Sequence, residues 1–96
     1  MSEAPSVTVL IPTPLRRFTN GQLKVNAMGA TVAELLDALD WDFPGLADQV
    51  REPDGRLRRF VNVFVNGVNA REHDGTATAV NPGEEVGIIP AMPGGA

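Results

Sequence analysis

The chain has 96 residues, of which 43% are hydrophobic and 21% are charged, a composition typical of a single globular domain with one modest core. It has no cysteine, which excludes disulfides, thiolate metal ligands, iron–sulfur clusters and cysteine nucleophiles. The formal net charge of −4 disfavours nucleic-acid binding, and the lack of a long apolar stretch or a signal peptide predicts a cytoplasmic protein without membrane contact.

The first third of the chain predicts a β-hairpin. Residues 7–11 (VTVLI) form a run rich in β-branched side chains that Pro12 and Pro14 close. A turn signal at Asn20-Gly21 precedes residues 22–26 (QLKVN), where polar and apolar side chains alternate. We therefore expect two paired strands with a long, proline-stiffened connection.

An amphipathic helix is predicted directly after this hairpin. Thr31 is a favourable N-cap, and Glu34 three residues later completes a capping box. Apolar side chains at helical spacing then define one face, with acidic side chains opposite. The apolar positions are Val32, Leu35, Leu36 and Leu39.

The pattern from residue 41 to residue 59 is irregular. Pro44-Gly45 could begin a short second helix, and residues 52–55 (EPDG) have the composition of a turn. Trp41, Phe43 and Leu46 are predicted to form an apolar cluster that covers one end of the core. The basic side chains Arg56, Arg58 and Arg59 lie near acidic ones, so a solvated loop face is the interpretation of that cluster.

The last third predicts three more strands and a tail. Residues 60–65 form a strand that ends in a strong Asn66-Gly67 hairpin signal, and residues 84–90 (EEVGIIP) form the final strand. Strand alternation places Val61, Val63, Val65, Val86 and Ile88 toward the helix. Phe60, Phe64 and Ile89 then face away from it, and with Pro90 they are the candidate residues for docking a partner beside the tail.

These elements predict an α+β fold: a mixed sheet of about five strands with one main helix packed across it, in the order of the β-grasp (ubiquitin-like) fold. Residues 1–90 would form this domain, and residues 91–96 a flexible C-terminal diglycine tail. Because glycine has no side chain, Gly94-Gly95 could be threaded into a narrow active site of another protein. Taken alone, the diglycine favours a disordered terminus over a functional one.

Three segments together resemble the ThiS/MoaD family of ubiquitin-like sulfur carriers. They are residues 60–67 (FVNVFVNG), 81–86 (NPGEEV) and 88–95 (IIPAMPGG). Residues 11–16 (IPTPLR) and 55–63 (GRLRRFVNV) extend the likeness over nearly the whole chain, toward the subgroup of thiocarboxylate-dependent cysteine synthesis. The resemblance implies a β-grasp fold and a carrier function.

The resemblance also implies a reaction at the C-terminus. The Gly95 carboxylate would be adenylated by an E1-like adenylyltransferase/sulfurtransferase, converted to a thiocarboxylate, and used by a sulfur-acceptor synthase. Ala96 departs from the usual diglycine end, so a JAMM-type zinc metalloprotease would first remove it. The chain itself would be no enzyme and need no cofactor, metal or catalytic residue. Its one histidine, His73, lies in a polar loop and is interpreted as a surface residue.

Three alternatives remain open from the sequence. The chain could be the small subunit of molybdopterin synthase, which would use the same tail within a permanent complex. It could be a protein modifier that forms isopeptide bonds through Gly95. It could also be a β-grasp binding module with an inert tail.

Overall fold

The computed structural model describes residues 6–90, so Gly94, Gly95 and Ala96 of the predicted tail lie outside the described residues. The described chain contains one α-helix, α1 (Val32–Asp42). Its strands are β1 (Val7–Leu10), β2 (Lys24–Ala27), β3 (Val61–Val65), β4 (Val68–Asn69) and β5 (Glu85–Pro90). Short 3-10 helices span Thr13–Phe18, Ala47–Gln49, Ala70–Glu72 and Gly75–Ala77.

The five strands form one mixed sheet in the order β2-β1-β5-β3-β4. β1 pairs antiparallel with β2, and β3 pairs antiparallel with both β4 and β5, which confirms the two predicted hairpins. β1 and β5 are parallel. The predicted α+β fold, with five strands and one main helix, is therefore confirmed.

The core lies between α1 and one face of the sheet. Val61, Val63 and Val65 of β3 are buried there, as the alternation predicted. Val86 and Ile88 of β5 are buried on the same side. The remaining core side chains come mainly from β1, β2, α1 and the turn after the helix: Val7, Val9, Val25, Ala27, Val32, Leu35, Leu36, Leu39, Leu46, Ala47 and Val50.

The start of α1 confirms the predicted cap, with one difference. The Thr31 hydroxyl accepts a hydrogen bond from the Glu34 N–H at 3.2 Å. The Glu34 carboxylate accepts from the N–H of Ala30 at 2.8 Å, one residue before the N-cap. A cap of this type stabilises a helix by about 1 kcal/mol.

The connection between β1 and β2 is more regular than the sequence predicted. Residues Thr13–Phe18 form a 3-10 helix that has Pro14 in its first turn and buries Leu15. The Thr19 hydroxyl, which is also buried, donates to the Gln22 carbonyl at 2.9 Å. Proline suits the first turn of a helix because that turn does not need its N–H.

The predicted cluster of Trp41 with Phe43 and Leu46 is wrong. Leu46 is fully buried and Phe43 packs against the core, but Trp41 is 87% exposed. The helix continues to Asp42, so Trp41 stands about 200° around the helix axis from the buried Leu39. This angle turns the indole away from the sheet.

Two substitutions on α1 test this arrangement. Leu39→Ala should lower the free energy of unfolding by about 3 kcal/mol, because it leaves a cavity in the core. Trp41→Ala should change it by less than about 0.5 kcal/mol, because the indole is almost entirely in solvent. Urea denaturation followed by circular dichroism measures both. A large loss of stability in Trp41→Ala would show that the indole packs against the protein.

Candidate functional site

The candidate site lies on the side of the sheet opposite α1. We call this surface the outer sheet face and define it by the residues Thr8, Leu10, Asn62, Phe64, Gly87 and Ile89. Its centre is Gly87 on β5, which is the register partner of Leu10 on β1 and of Phe64 on β3. Ile89, two residues further along β5, is the register partner of Asn62. Leu10 and Phe64 are half-buried and Ile89 is 51% exposed. The outer sheet face therefore presents an apolar strip that follows β5 toward its end.

The structure brings together two of the four predicted docking residues. Phe64 and Ile89 are diagonal neighbours on adjacent strands, a spacing that an aromatic side chain can bridge. Pro90 is the register partner of Val61, so it lies on the core side of the sheet, where it is half-buried.

Phe60 differs from its prediction because it precedes β3. The Val61 N–H donates to the Arg58 carbonyl at 3.0 Å, which closes a turn over residues 58–61. Strand alternation therefore does not reach Phe60. Its side chain is 46% exposed, and the Arg59 guanidinium lies 5.9 Å from its ring centre.

Sequence reasoning missed Leu10 and Gly87 as members of this face. Leu10 alternates with the buried Val9, but its neighbour across the sheet depends on the pairing of β1 with β5. A glycine inside a strand pattern is a recognised sign of a close backbone approach. That signal was present at Gly87 in the sequence.

Arginines bind the backbone on both sides of the end of β5. On the β1 side, Arg16 Nε donates to the Ile11 carbonyl at 3.0 Å. On the β3 side, Arg71 Nη2 donates to the Val61 carbonyl at 2.8 Å and also to the Arg58 carbonyl. Arg71 Nε donates to Asn62 Oδ1 at 3.1 Å, so its guanidinium reaches the outer sheet face.

Basic side chains lie beside the outer sheet face and acidic ones on α1, where Arg51 pairs with Asp37 at 2.8 Å. Lys24, the register partner of Leu10, joins Arg16 and Arg71 to form what we call the basic rim of the outer sheet face. Glu85 is an acidic residue at the opposite end of β5. The helix on the other side of the molecule has no basic residue but carries four acidic ones: Glu34, Asp37, Asp40 and Asp42.

The loop arginines are largely neutralised by nearby acids, in agreement with the predicted solvated loop face. Arg56 pairs with Asp54 at 2.9 Å, and Arg58 pairs with Glu52 at 3.3 Å. The Arg56 N–H, followed by its guanidinium, holds the pKa of the exposed Asp54 carboxyl below its ordinary value. His73 is exposed, as predicted.

Over residues 6–90, no group of three or more His, Cys, Asp or Glu side chains is arranged to hold a metal ion. In the same part of the chain, no helix combines the length and the apolar character that crossing a membrane would require.

Comparison with known proteins assigns the family. The sequence model of the ThiS family matches residues 9–95. The chain belongs to the ThiS family. The match extends through the diglycine and leaves Ala96 outside it.

Curated relatives of this ThiS-family chain are named as carriers. It is 41% identical over 92 residues to the sulfur carrier protein CysO of Mycobacterium tuberculosis, which covers 94% of this chain and 99% of that protein. A putative sulfur carrier protein of Archaeoglobus fulgidus is 32% identical over 90 residues, with the same coverage of both chains. These are names of carriers and not of enzymes, in agreement with the prediction for this chain.

Solved structures confirm the β-grasp assignment. CysO in the Amycolatopsis orientalis BexX/CysO complex superposes with a TM-score of 0.88 at 39% identity, over 93% of this chain and 99% of that one. The crystal structure of Mycobacterium tuberculosis CysO gives a TM-score of 0.86 at 41% identity, over 90% and 99% of the two chains.

Substitution of Arg71 tests whether this side chain stabilises the turn that precedes β3. Arg71→Ala should lower the free energy of unfolding by about 1 kcal/mol, because it removes charge-assisted hydrogen bonds to two carbonyls and to Asn62, partly screened by solvent. Arg56→Ala is the matched control and should cost less than about 0.5 kcal/mol, since Arg56 bonds only within its own turn. Urea denaturation compares the two, and equal losses would contradict the role of Arg71.

Proposed function

We propose that this protein is a sulfur carrier whose reacting residue is Gly95. The observation that carries the proposal is the extent of the family match, which runs past Pro90 at the end of β5 and stops at Gly95. The names of the relatives in Mycobacterium tuberculosis and Archaeoglobus fulgidus support the same function.

The proposed chemistry converts a carboxylate into a thiocarboxylate. A carboxylate is a poor acyl donor to a sulfur nucleophile at neutral pH, so it must first be activated. The Gly95 carboxylate attacks the α-phosphate of ATP on an E1-like enzyme, which forms an acyl-adenylate and releases pyrophosphate. Sulfide attacks the acyl carbon and displaces AMP, which leaves the thiocarboxylate directly. A persulfide donor displaces AMP to give an acyl disulfide, and a thiol must then reduce its S–S bond to release the thiocarboxylate. A sulfur-acceptor synthase finally receives the sulfur, and because the curated relatives include CysO, we favour cysteine or a related amino acid as its product.

In this proposal the carrier presents its Gly95 carboxylate, and the activating enzyme catalyses the reaction. The partner holds ATP and its magnesium, as is usual where catalysis consists of positioning and charge stabilisation. The central strand β5 ends at Pro90. Residues 91–96 would reach from there into the partner. Because activation consumes ATP, we propose a cytoplasmic location.

The outer sheet face is the proposed docking surface for the activating enzyme. The exposed Ile89 and the half-buried Phe64 supply accessible apolar area near the end of β5, with Pro90 as the last residue of the strand. Phe60, in the turn before β3, adds a further exposed ring. Apolar surface of this kind commonly marks a site of protein association, and the basic rim suits a partner with acidic groups around its own apolar contacts.

Mass spectrometry of the protein from its native host tests the carrier function. Under sulfur limitation, the intact protein should have lost Ala96 and should include a species heavier by the difference between sulfur and oxygen. A variant that lacks residues 94–96 is the control and should carry no such species. Complete absence of the heavier species from the wild-type protein would contradict the proposal.

A protein modifier is the second candidate, because one relative is named in that way. Small archaeal modifier protein 3 of Haloferax volcanii is 39% identical over 66 residues, which cover 69% of this chain and 71% of that protein. The same host sample separates the two functions, since conjugation would produce adducts linked through Gly95 to lysines of other proteins. Self-conjugation through a side chain could use only Lys24, the single lysine of the sequence.

Removal of Ala96 is proposed as a required step. A JAMM-type metalloprotease would add water across the Gly95–Ala96 peptide bond, releasing alanine and exposing the Gly95 carboxylate. We expect the chain that ends at Gly95 to support ATP–pyrophosphate exchange by the E1-like enzyme of the source organism. The chain that ends at Ala96 should support no measurable exchange, because its terminal carboxylate lies one residue beyond Gly95 and belongs to an alanine, which has a Cβ. Equal exchange by the two chains would show that Ala96 does not block activation.

A further inference from the structure

Gly87 occupies the centre of the sheet without a reason in the fold for being glycine. It lies on β5, the central strand, between Leu10 and Phe64. Glycine weakens strand interiors because it costs backbone entropy and contributes no side-chain packing. A β-branched residue would suit this position better if stability alone determined the choice.

The other glycines among residues 6–90 each have a local reason. Gly29 has no room for a side chain, since a Cβ there would lie 2.8 Å from the Leu35 nitrogen. Six more adopt positive φ, which disfavours other residues: Gly21, Gly45, Gly55, Gly67, Gly75 and Gly83. Gly87 has neither constraint, because its φ lies outside that region and a Cβ would meet no heavy atom within 4 Å.

The space above Gly87 is therefore an open depression in the outer sheet face. Its walls are Leu10 and Phe64, whose backbones lie about 10 Å apart because adjacent strands are separated by about 4.8 Å. That gap has room for one side chain entering between them. Ile89 stands at the tail end of the depression and is half-exposed.

We propose that the depression over Gly87 receives one bulky apolar side chain of the E1-like activating enzyme. This inference rests on the proposed function and specifies how the partner is recognised. Leu10 and Phe64 would contact the inserted side chain from the two sides, and the Gly87 backbone would form the floor. The insertion would align β5 with the partner, so that the tail enters the adenylation site.

The position and charge of the depression identify the occupant as the activating enzyme. The apolar strip runs from Gly87 to Ile89, beside Pro90 at the end of β5, so a protein that engages residues 91–96 would also cover the strip. Lys24 on the edge strand β2 and Arg71 in the 3-10 helix after β4 flank it. The partner surface around the inserted side chain should therefore carry carboxylates, whereas a second copy of this chain would bring like charges together.

The test uses chains that end at Gly95 and measures ATP–pyrophosphate exchange by the E1-like enzyme of the source organism. Gly87→Val should fill the depression. A Cβ at this position meets no heavy atom within 4 Å, and valine favours strands, so the Tm of this variant should be equal to or above that of the wild type. The KM of the E1-like enzyme for this variant should be about tenfold higher than for the wild-type carrier. The kcat should change less than twofold, because only docking is affected. Gly87→Ala should give a smaller rise in KM.

Asn26→Val is the matched control. It adds a similar branched side chain to the same side of the sheet, but on the edge strand β2 and away from Gly87. Its KM should stay within twofold of the wild-type value.

The outcomes separate the two levels of the proposal. If Gly87→Val keeps the wild-type KM while the wild-type chain is activated, the insertion is refuted and the carrier function stands. An equal rise in KM for Asn26→Val would also refute insertion, since the effect would not be local to Gly87. If the wild-type chain supports no exchange at all, the carrier function itself fails, and the insertion fails with it. A lowered Tm in both Gly87 variants would show that the fold requires this glycine.

Discussion

The parallel pairing of β1 with β5 is the contact on which the rest of the structure depends. It joins Val9 near the start of the chain to Val86 near its end, and it makes the last strand the central one. A parallel pair cannot be closed by a tight turn, so the chain must cross over the sheet between the two strands. The helix α1 lies in this crossover and covers the core face.

Central placement gives β5 two different faces. Val86 and Ile88 are buried beneath the helix, where they contribute to the core. Gly87 and Ile89 face the opposite way and are reachable from solvent. The last described strand is thus held by neighbouring strands on both sides, while one of its faces remains accessible.

Charge follows the same division between the two sides of the molecule. The negative charge of the helix is separated from the outer sheet face by the whole thickness of the core, whereas Arg16 and Arg71 bind carbonyls beside the end of β5. An acidic protein can therefore present a basic rim at the surface proposed to meet its partner. Arg71 links this rim to folding as well, since its hydrogen bonds tie the turn at Arg58 to Asn62 on the outer face.

The sequence by itself determined the elements that local patterns encode. These include the Thr31 cap of α1, the Asn66-Gly67 hairpin and the inward alternation of the valines in β3, because each depends on residues only a few positions apart. Motif likeness, which is also local, indicated the family. Tertiary structure alone decided that Trp41 stays in solvent and that Leu10 and Phe64 flank Gly87 from its two sides. Those outcomes depend on where the helix ends and on the register between strands far apart in the chain, and no short-range pattern specifies either.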